Sequence, residues 1–316
     1  MRKINIIILL VLCLTLLLLA GCIVNTVIAK TAIVNVENQE DINQYSNNFQ
    51  SSSTGSVQES IEEPETENSQ KWSGLTGFTT SYKFVGEFTD TWLEYGFTEI
   101  RDIIDYQDTT KLNGSKAVVI VAKTKGLKFI WGVGAHSITA ENWPSFRQAI
   151  LDAAQWAQDN GVFEFQLGNE EEFHVDGTTM TIAQIIANIK DVATDVQEIF
   201  TNGNVSYTLN DSNIDNWITA GKGDIDLLGL NVYRGGTTFN DYWKTAISNF
   251  VNAFGDSGYI TEFNLSWSNI NNYSTDEEVQ AEAVTEMIEY IKDSGIERAL
   301  FYSWHDYPGG LLGCKK

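Results

Sequence analysis

The sequence predicts an α/β protein whose main domain is one closed barrel of eight parallel strands. Eight short runs are continuously apolar instead of alternating with polar residues, which is typical of parallel strands covered on both faces. Amphipathic stretches separate these runs, and the domain has the size of such a barrel. The eight runs are residues 75–79, 97–102, 127–133, 163–168, 205–210, 225–233, 259–263 and 299–304.

Between the runs, apolar residues recur at the spacing of amphipathic helices. Two such sets are Ile182, Ile185, Ile186, Ile189, Val192 and Val196, and Val279, Ala283, Met287 and Ile291. Residues 72–316 match the roughly 250 residues of a single (β/α)8 TIM barrel. The alternative is an open doubly wound sheet, which usually has a Gly-rich phosphate loop after its first strand, and residues 77–80 do not form one. Few residues follow Trp304, so we expect the barrel to lack a full eighth helix.

The N-terminus has the pattern of an export signal over residues 1–22. Arg2 and Lys3 precede an unbroken apolar run at residues 6–19. Leu19-Ala20-Gly21-Cys22 resembles the lipobox of bacterial lipoproteins, which implies that Cys22 is lipidated. The alternative is an uncleaved helix, because about 20 apolar residues span a bilayer. Both interpretations predict an exported protein tethered to a membrane at the cell surface; a secreted form is the remaining option.

Residues 23–71 are expected to form a linker that is disordered and polar to acidic, because they contain too few apolar side chains to offset the entropy of ordering. Of the three cysteines only Cys314 lies in the main domain, which excludes a disulfide there. The net charge of −22 disfavours nucleic acid and anionic lipid surfaces as partners. A neutral or cationic ligand fits better.

Two glutamates lie at or near the C-terminal ends of apolar runs. Glu170 comes after the fourth run and Glu262 lies in the seventh. Barrel enzymes place their chemistry at the C-terminal ends of strands, where an ionised side chain is costly unless the site uses it. Glycoside hydrolysis requires two carboxyl groups on opposite sides of a sugar. Strands four and seven lie nearly opposite each other in an eight-stranded ring, so the pair fits this chemistry.

The segments Gly168-Asn169-Glu170 and Ile260-Thr261-Glu262-Phe263 resemble the signature of clan A glycoside hydrolases, a group that includes many cellulases, mannanases and galactanases. The resemblance covers about residues 72–313. It implies a retaining mechanism in which Glu170 is the acid/base and Glu262 is the nucleophile. It also implies that Asn169 binds the sugar 2-hydroxyl.

Three further residues follow the clan's pattern in strand order. The resemblance implies that Arg101 lies near the nucleophile, that Tyr233 donates a hydrogen bond to it, and that Trp304 forms the floor of the cleavage subsite. There are two departures. The loop containing His136 lacks the paired histidines common in one large family, and Asn231 occupies a substrate-facing position often held by histidine. The family within the clan therefore stays open.

Other side chains near strand ends are candidates for substrate binding. Trp131 and Trp267 are expected to stack on sugar faces. His136 and His305 are expected to form hydrogen bonds with substrate. Together with His174 they fall on three loops of one barrel face, so a metal triad is an alternative. No HxH or HExxH spacing supports it, and we expect no metal and no cofactor.

Two glutamates in one site need different surroundings to take different roles. We expect Glu262 to be ionised beside its arginine and tyrosine neighbours. We expect partial burial and the charge of Glu262 to raise the pKa of Glu170. Glu171 and Glu172 follow the acid directly and are expected to be solvated in a surface loop, because the clan pattern places the acid immediately after asparagine.

These observations predict an exported retaining β-glycosidase that acts, as an endo-β-glycanase, on an extracellular poly- or oligosaccharide. One alternative is a carbohydrate-binding surface lipoprotein on the same barrel that has lost turnover. Another is a metal-dependent barrel hydrolase that uses the histidines. Activity that resists a chelator excludes the second alternative, and binding without hydrolysis favours the first. The sugar, the linkage and the oligomeric state are not predicted.

Overall fold

The computed structural model describes residues 75–79, 90, 92–94, 96–174, 179–234, 242–265 and 277–302. The predicted signal with Cys22, the predicted linker and the segment after residue 302 lie outside this part of the chain. So do three candidate site residues, Trp267, Trp304 and His305, which stay predictions. Within the described part, no helix is both long and apolar enough to cross a membrane.

Eight parallel strands follow one another in chain order, and the last pairs with the first to close a barrel. This confirms the predicted TIM-barrel fold, and every predicted apolar run overlaps one strand. The strands are β1 Leu75–Thr79, β2 Glu99–Asp105, β3 Lys128–Gly134, β4 Glu164–Asn169, β5 Asn204–Asn210, β6 Leu227–Arg234, β7 Gly258–Leu265 and β8 Ala299–Tyr302.

Helices lie between the strands, as the amphipathic pattern predicts. Those of the described part are α1 Thr109–Thr124, α2 Trp143–Asn160, α3 Ile182–Ile199, α4 Ile214–Ala220, α5 Tyr242–Phe254 and α6 Glu277–Asp293. Helix α3 begins with a capping box in which Thr181 and Gln184 satisfy each other's backbone N–H groups. Helix α2 ends where Gly161 adopts a left-handed conformation with φ 63°.

The main core lies between the strands and the surrounding helices, and it contains Trp131. This side chain is fully buried, its ring lies 4.7 Å from that of Trp156, and its Nε1 donates to Ser115 Oγ at 2.9 Å. Side chains alternate between the two faces of a strand. The preceding residue, Ile130, packs with Tyr259 and Leu300 in a separate cluster, whereas Trp131 packs against the helices. The structure thus corrects the predicted sugar-stacking role of Trp131, since its ring is enclosed by the core.

A buried network of charges closes the N-terminal end of the barrel. Arg298 donates from Nε to Glu99 Oε2 at 2.6 Å and from Nη1 to Glu164 Oε2 at 2.5 Å. Tyr259 donates to the other oxygen of Glu164 at 2.5 Å. In TIM barrels, residues at the N-terminal end usually stabilise the barrel, whereas the active site lies at the C-terminal end. Glu99 and Glu164 are therefore structural carboxylates.

Candidate active site

Strands β2, β4, β6 and β7 bring the predicted site residues together. Arg101, Asn169, Asn231 and Glu262 lie within these four strands, and Glu170 directly follows β4. Arg101 contacts both Asn169 and Glu262, and Asn231 contacts both Asn169 and Glu170. A continuous set of hydrogen bonds thus connects the two glutamates that the sequence singles out.

Glu262 accepts a strong hydrogen bond on each carboxylate oxygen. Arg101 Nη1 forms an ion pair with its Oε1 at 2.6 Å, and the Tyr233 hydroxyl donates to its Oε2. Burial, followed by the charge of Glu262, raises the pKa of Tyr233 well above its ordinary value, so this hydroxyl keeps its proton at neutral pH. Charge-assisted bonds of this kind are short and orient a carboxylate firmly. Glu262 is therefore held in place with its charge compensated.

The Arg101 guanidinium is itself fixed by buried partners. It is 1% exposed, its Nε donates to Gln166 Oε1 at 2.7 Å, and its Nη2 donates to Asn169 Oδ1 at 2.6 Å. Longer contacts of 3.3 Å join it to the hydroxyls of Thr79 and Thr208. A planar guanidinium with several fixed acceptors cannot swing away from its carboxylate. Arg101 is preorganised before any ligand arrives.

Glu170 has different surroundings from Glu262. Asn231 Nδ2 and Asn210 Nδ2 donate to its Oε1 at 3.0 and 3.1 Å. Burial, and then the charge of Glu262, raises the pKa of Glu170 to about 7, against the opposing effects of the two asparagines and Arg101. Around neutral pH this carboxyl can therefore give up or take a proton, whereas Glu262 lies beside a cation. Such a contrast separates acid from nucleophile in a carboxylate pair.

The backbone at Glu170 adopts the left-handed conformation, with φ 61°. For a residue other than glycine this conformation costs about 1–2 kcal/mol. Its N–H donates to Thr208 O at 2.9 Å, and its carbonyl accepts from Phe173 N at 2.9 Å. Strain of this kind is concentrated at functional sites, where the surrounding structure holds it in place.

A cavity of about 540 Å³ opens at Glu262 and Asn169. Its lining includes Arg101, Asn169 and Glu262 together with His136 and His174. This volume lies within the range of small-molecule sites. The predicted contact of His136 with substrate is compatible with this position and stays a prediction.

No protein-family model matches the chain, and no curated protein matches it. Several solved structures do. The GH53 catalytic domain from Ignisphaera aggregans is 18% identical with a TM-score of 0.56, over 76% of this chain and 88% of that one. A β-glycosidase from Pyrococcus horikoshii has 12% identity and a TM-score of 0.55, over 76% and 88%. The GH113 β-mannanase from Alicyclobacillus acidocaldarius has 13% identity and a TM-score of 0.51, over 74% and 87%.

The chain shares the TIM-barrel fold of these glycosidases. At identities this low the similarity establishes the fold, and the chemistry has to be argued from the site.

The prediction that Glu171 and Glu172 are solvated is wrong. Both are buried, 0% and 1% exposed. Glu171 Oε1 accepts from Ala135 N at 3.1 Å, while Glu172 accepts from the Tyr207 hydroxyl and from Asn210 N, the latter at 3.0 Å. Burial raises the pKa of Glu171 to about 7 and that of Glu172 to about 8. The side chains of Glu171 and Glu172 point into the protein after the left-handed turn at Glu170. A pattern of residue types does not predict this backbone conformation.

Asn210, Gln166 and Thr208 are part of the site and were missed by the sequence interpretation. Gln166 and Thr208 are polar residues within apolar strands, and Asn210 is the last residue of β5. Each was thus visible as a polar side chain within a strand or at the reactive end of one. Their partners on other strands were not visible, because contacts between residues 40 to 107 positions apart depend on closure of the ring.

The described residues give no support to the alternative of a metal site formed by three histidines. The rings of His136 and His174 lie 6.2 Å apart, and the third histidine, His305, falls outside the described residues. In the described ranges, no three His, Cys, Asp or Glu side chains are grouped as metal ligands would be.

Proposed function

We propose that the protein is a retaining glycoside hydrolase that cleaves β-linked poly- or oligosaccharides outside the cytoplasm. One observation carries the proposal: two carboxyl groups, joined by one hydrogen-bond network, lie in opposite electrostatic settings. Glu262 is paired with Arg101 and Tyr233, whereas Glu170 has a raised pKa of about 7. Hydrolysis by double displacement needs one charged carboxylate and one protonated acid in the same site.

In the first step a Glu262 oxygen attacks the anomeric carbon, and the bond from that carbon to the leaving oxygen breaks. Glu170 transfers its proton to the leaving oxygen, so the first sugar product departs neutral. The product that stays behind is a glycosyl ester of Glu262. Asn169 orients its oxygen toward Arg101 and Asn231, which leaves its amide N–H groups available for a sugar hydroxyl.

In the second step Glu170 acts as a base. Esterification removes the negative charge of Glu262, which is the second-largest cause of the raised pKa of Glu170. The pKa of Glu170 then falls, and its carboxylate accepts a proton from water as the water oxygen attacks the anomeric carbon. The Glu262 carboxylate leaves, and the configuration at the anomeric carbon is the original one after two inversions.

The proposal includes endo action and export by residues 1–22, with attachment to a membrane through Cys22 or an uncleaved helix. The polar segment 23–71 would then separate the barrel from that membrane, which suits a polymeric substrate. Endo action predicts that early products are oligosaccharides of mixed length. An exo enzyme would release one small product from the first minutes.

The test is hydrolysis of β-glucans, mannans, galactans and xylans by the full-length protein, with and without chelator. Glu170→Gln and Glu262→Gln should abolish turnover. Glu164→Gln makes the same chemical change at the other end of β4 and should keep the turnover of the folded protein. Proton NMR of the first product gives the anomeric configuration.

Retention together with loss of activity in both active-site variants supports the proposal. Inversion, or activity lost on chelation, refutes it. Glycan binding without hydrolysis would assign the protein to the carbohydrate-capture alternative, and Glu170 and Glu262 would then be binding residues.

A further inference from the structure

Two amide groups converge on one oxygen of the candidate acid/base. Asn231 Nδ2 lies 3.0 Å and Asn210 Nδ2 lies 3.1 Å from the same atom, Glu170 Oε1. The two asparagines come from neighbouring strands, β6 and β5. A carboxylate oxygen has about two lone-pair directions, so two N–H donors use the accepting capacity of Oε1.

The orientation of each amide is set by the contacts of its other end. Asn210 Oδ1 accepts from the backbone N–H of Ser212 at 3.0 Å and from its hydroxyl at 2.6 Å, and so caps the short helix at Asp211–Asn213. Asn231 Oδ1 accepts from the Thr261 hydroxyl at 2.8 Å. Both side chains therefore point an N–H group, not an oxygen, at Glu170.

A carboxylic acid proton on Oε1 would face these two donors and displace at least one of them. A proton on Oε2 leaves Oε1 as a carbonyl oxygen, which still accepts from both asparagines, although these bonds are weaker than those to the charged carboxylate. Within the described residues, Oε2 meets no hydrogen-bond partner that competes for this position.

We propose that Asn210 and Asn231 act as an amide clamp that keeps the transferable proton of Glu170 on Oε2. This inference rests on the proposed function, because it assigns the oxygen that both donates to the leaving group and later accepts from water. Glu170 then changes roles without rotating, since the clamp is satisfied in both protonation states. Asn210 is thereby a positioning residue that acts through the acid/base.

Asn210 is in turn held by the buried carboxyl group of Glu172. The backbone N–H of Asn210 donates to Glu172 Oε1 at 3.0 Å, and the Tyr207 hydroxyl donates to the other oxygen of Glu172. Tyr207 also accepts from the N–H of Glu171 at 3.1 Å. The end of β5 is thereby tied to the turn that carries the acid.

Charged and titratable groups face Glu170 from three other strands: Glu262 from β7, Arg101 from β2 and Tyr233 from β6. The charge of Glu262 raises the pKa of Glu170, whereas Arg101 and the two asparagines lower it. Because a donor to the charged form favours that form, removing the Asn210 donor should raise this pKa.

The test is a carbon-13 NMR titration of full-length protein labelled at the glutamate carboxyl carbons, with the Glu170 signal assigned by its loss in Glu170→Gln. Asn210→Ala should raise the pKa of Glu170 by about 0.5–1 unit. Asn210→Asp keeps the acceptor that caps Ser212 but sets a carboxylate against Glu170, and should raise it by roughly one unit or more. Asn213→Ala, in the same short helix, is the matched control and should leave the pKa unchanged.

The inference is overturned if both Asn210 variants titrate like the wild type, or if the Asn213 control shifts equally. This titration requires no turnover, so it is independent of whether any glycan is hydrolysed. Where turnover is found, Asn210→Ala should lower kcat/KM about tenfold for aryl glycosides with poor leaving groups. For dinitrophenyl glycosides the loss should be below about twofold, because they need little acid catalysis. Equal losses on both substrates would also overturn it.

Discussion

Replacing Glu172 by glutamine should make the protein increasingly more stable than the wild type as the pH rises from 5 to 8. Burial raises the pKa of Glu172 to about 8, whereas the same group in an unfolded chain titrates near its ordinary value of 4.5. A carboxyl whose pKa is raised by folding stabilises the native state fully at low pH. This contribution is lost as the pH rises toward the folded pKa. Glutamine does not titrate, so the Glu172→Gln variant does not lose this stability as the pH rises.

The magnitude follows from the two pKa values. Between pH 5 and pH 8 the wild type should lose about 3 kcal/mol of stability through Glu172, at about 1.4 kcal/mol per unit of pKa difference. Glutamine also fits the contacts, because its carbonyl can accept from Asn210 N–H and its amide can donate to the Tyr207 hydroxyl oxygen. For a domain of this size the difference corresponds to roughly 6–12 °C in Tm.

The assay is thermal unfolding of both proteins at several pH values from 5 to 8, followed by circular dichroism. The difference in Tm between Glu172→Gln and the wild type should grow steadily with pH. Glu198→Gln, an exposed change on α3, controls for the loss of one negative charge and should follow the wild type. A Tm difference that stays constant over this range would refute the argument that Glu172 is protonated by burial.

Four further outcomes are expected. On substrates with poor leaving groups, kcat/KM should be full below pH 7 and fall about tenfold per unit above it, as Glu170 with its pKa of about 7 loses its proton; a flat profile up to pH 9 would contradict this. Tyr233→Phe removes a donor to Glu262 and should lower kcat/KM roughly 10- to 100-fold with little change in Tm, measured by steady-state kinetics beside calorimetry. Trp131→Phe should lower Tm by a few degrees and leave the KM for glycans unchanged, whereas a raised KM would restore its sugar-stacking role. Arg298→Met removes the cation paired with buried Glu164 and should cost about 3–5 kcal/mol in urea unfolding, with kcat of the remaining folded enzyme intact.

The barrel and the candidate catalytic pair were accessible from residue patterns. Continuous apolar runs locate the strands because both faces of a parallel sheet are covered, and strand ends then identify the reactive edge of the barrel. Arg101, Glu170, Tyr233 and Glu262 lie in, or directly after, four strands in chain order, so their convergence required only ring closure. The structure brings these four together with the contacts that the resemblance implies.

The errors concern which way a side chain points. Trp131 was assigned to the cleft because it lies near a strand end, but the two-residue alternation of β3 directs it into the helical layer. Glu171 and Glu172 were assigned to a solvated surface loop because the clan pattern places the acid directly after asparagine. Their burial accompanies one left-handed residue, Glu170, and depends on the Tyr207 hydroxyl, 35 or more positions away.

Local patterns thus established the number and order of strands, the helices between them and the edge that bears the carboxylates. These properties depend on hydrophobic burial and on residue spacing, and both can be recognised in the sequence. The clamp of Asn210 and Asn231 on Glu170, the raised pKa values of Glu171 and Glu172 and the cavity were decided by tertiary structure alone. They arise where side chains from different strands meet in a low-dielectric space, and the energies there depend on distances and orientations that only the closed barrel specifies.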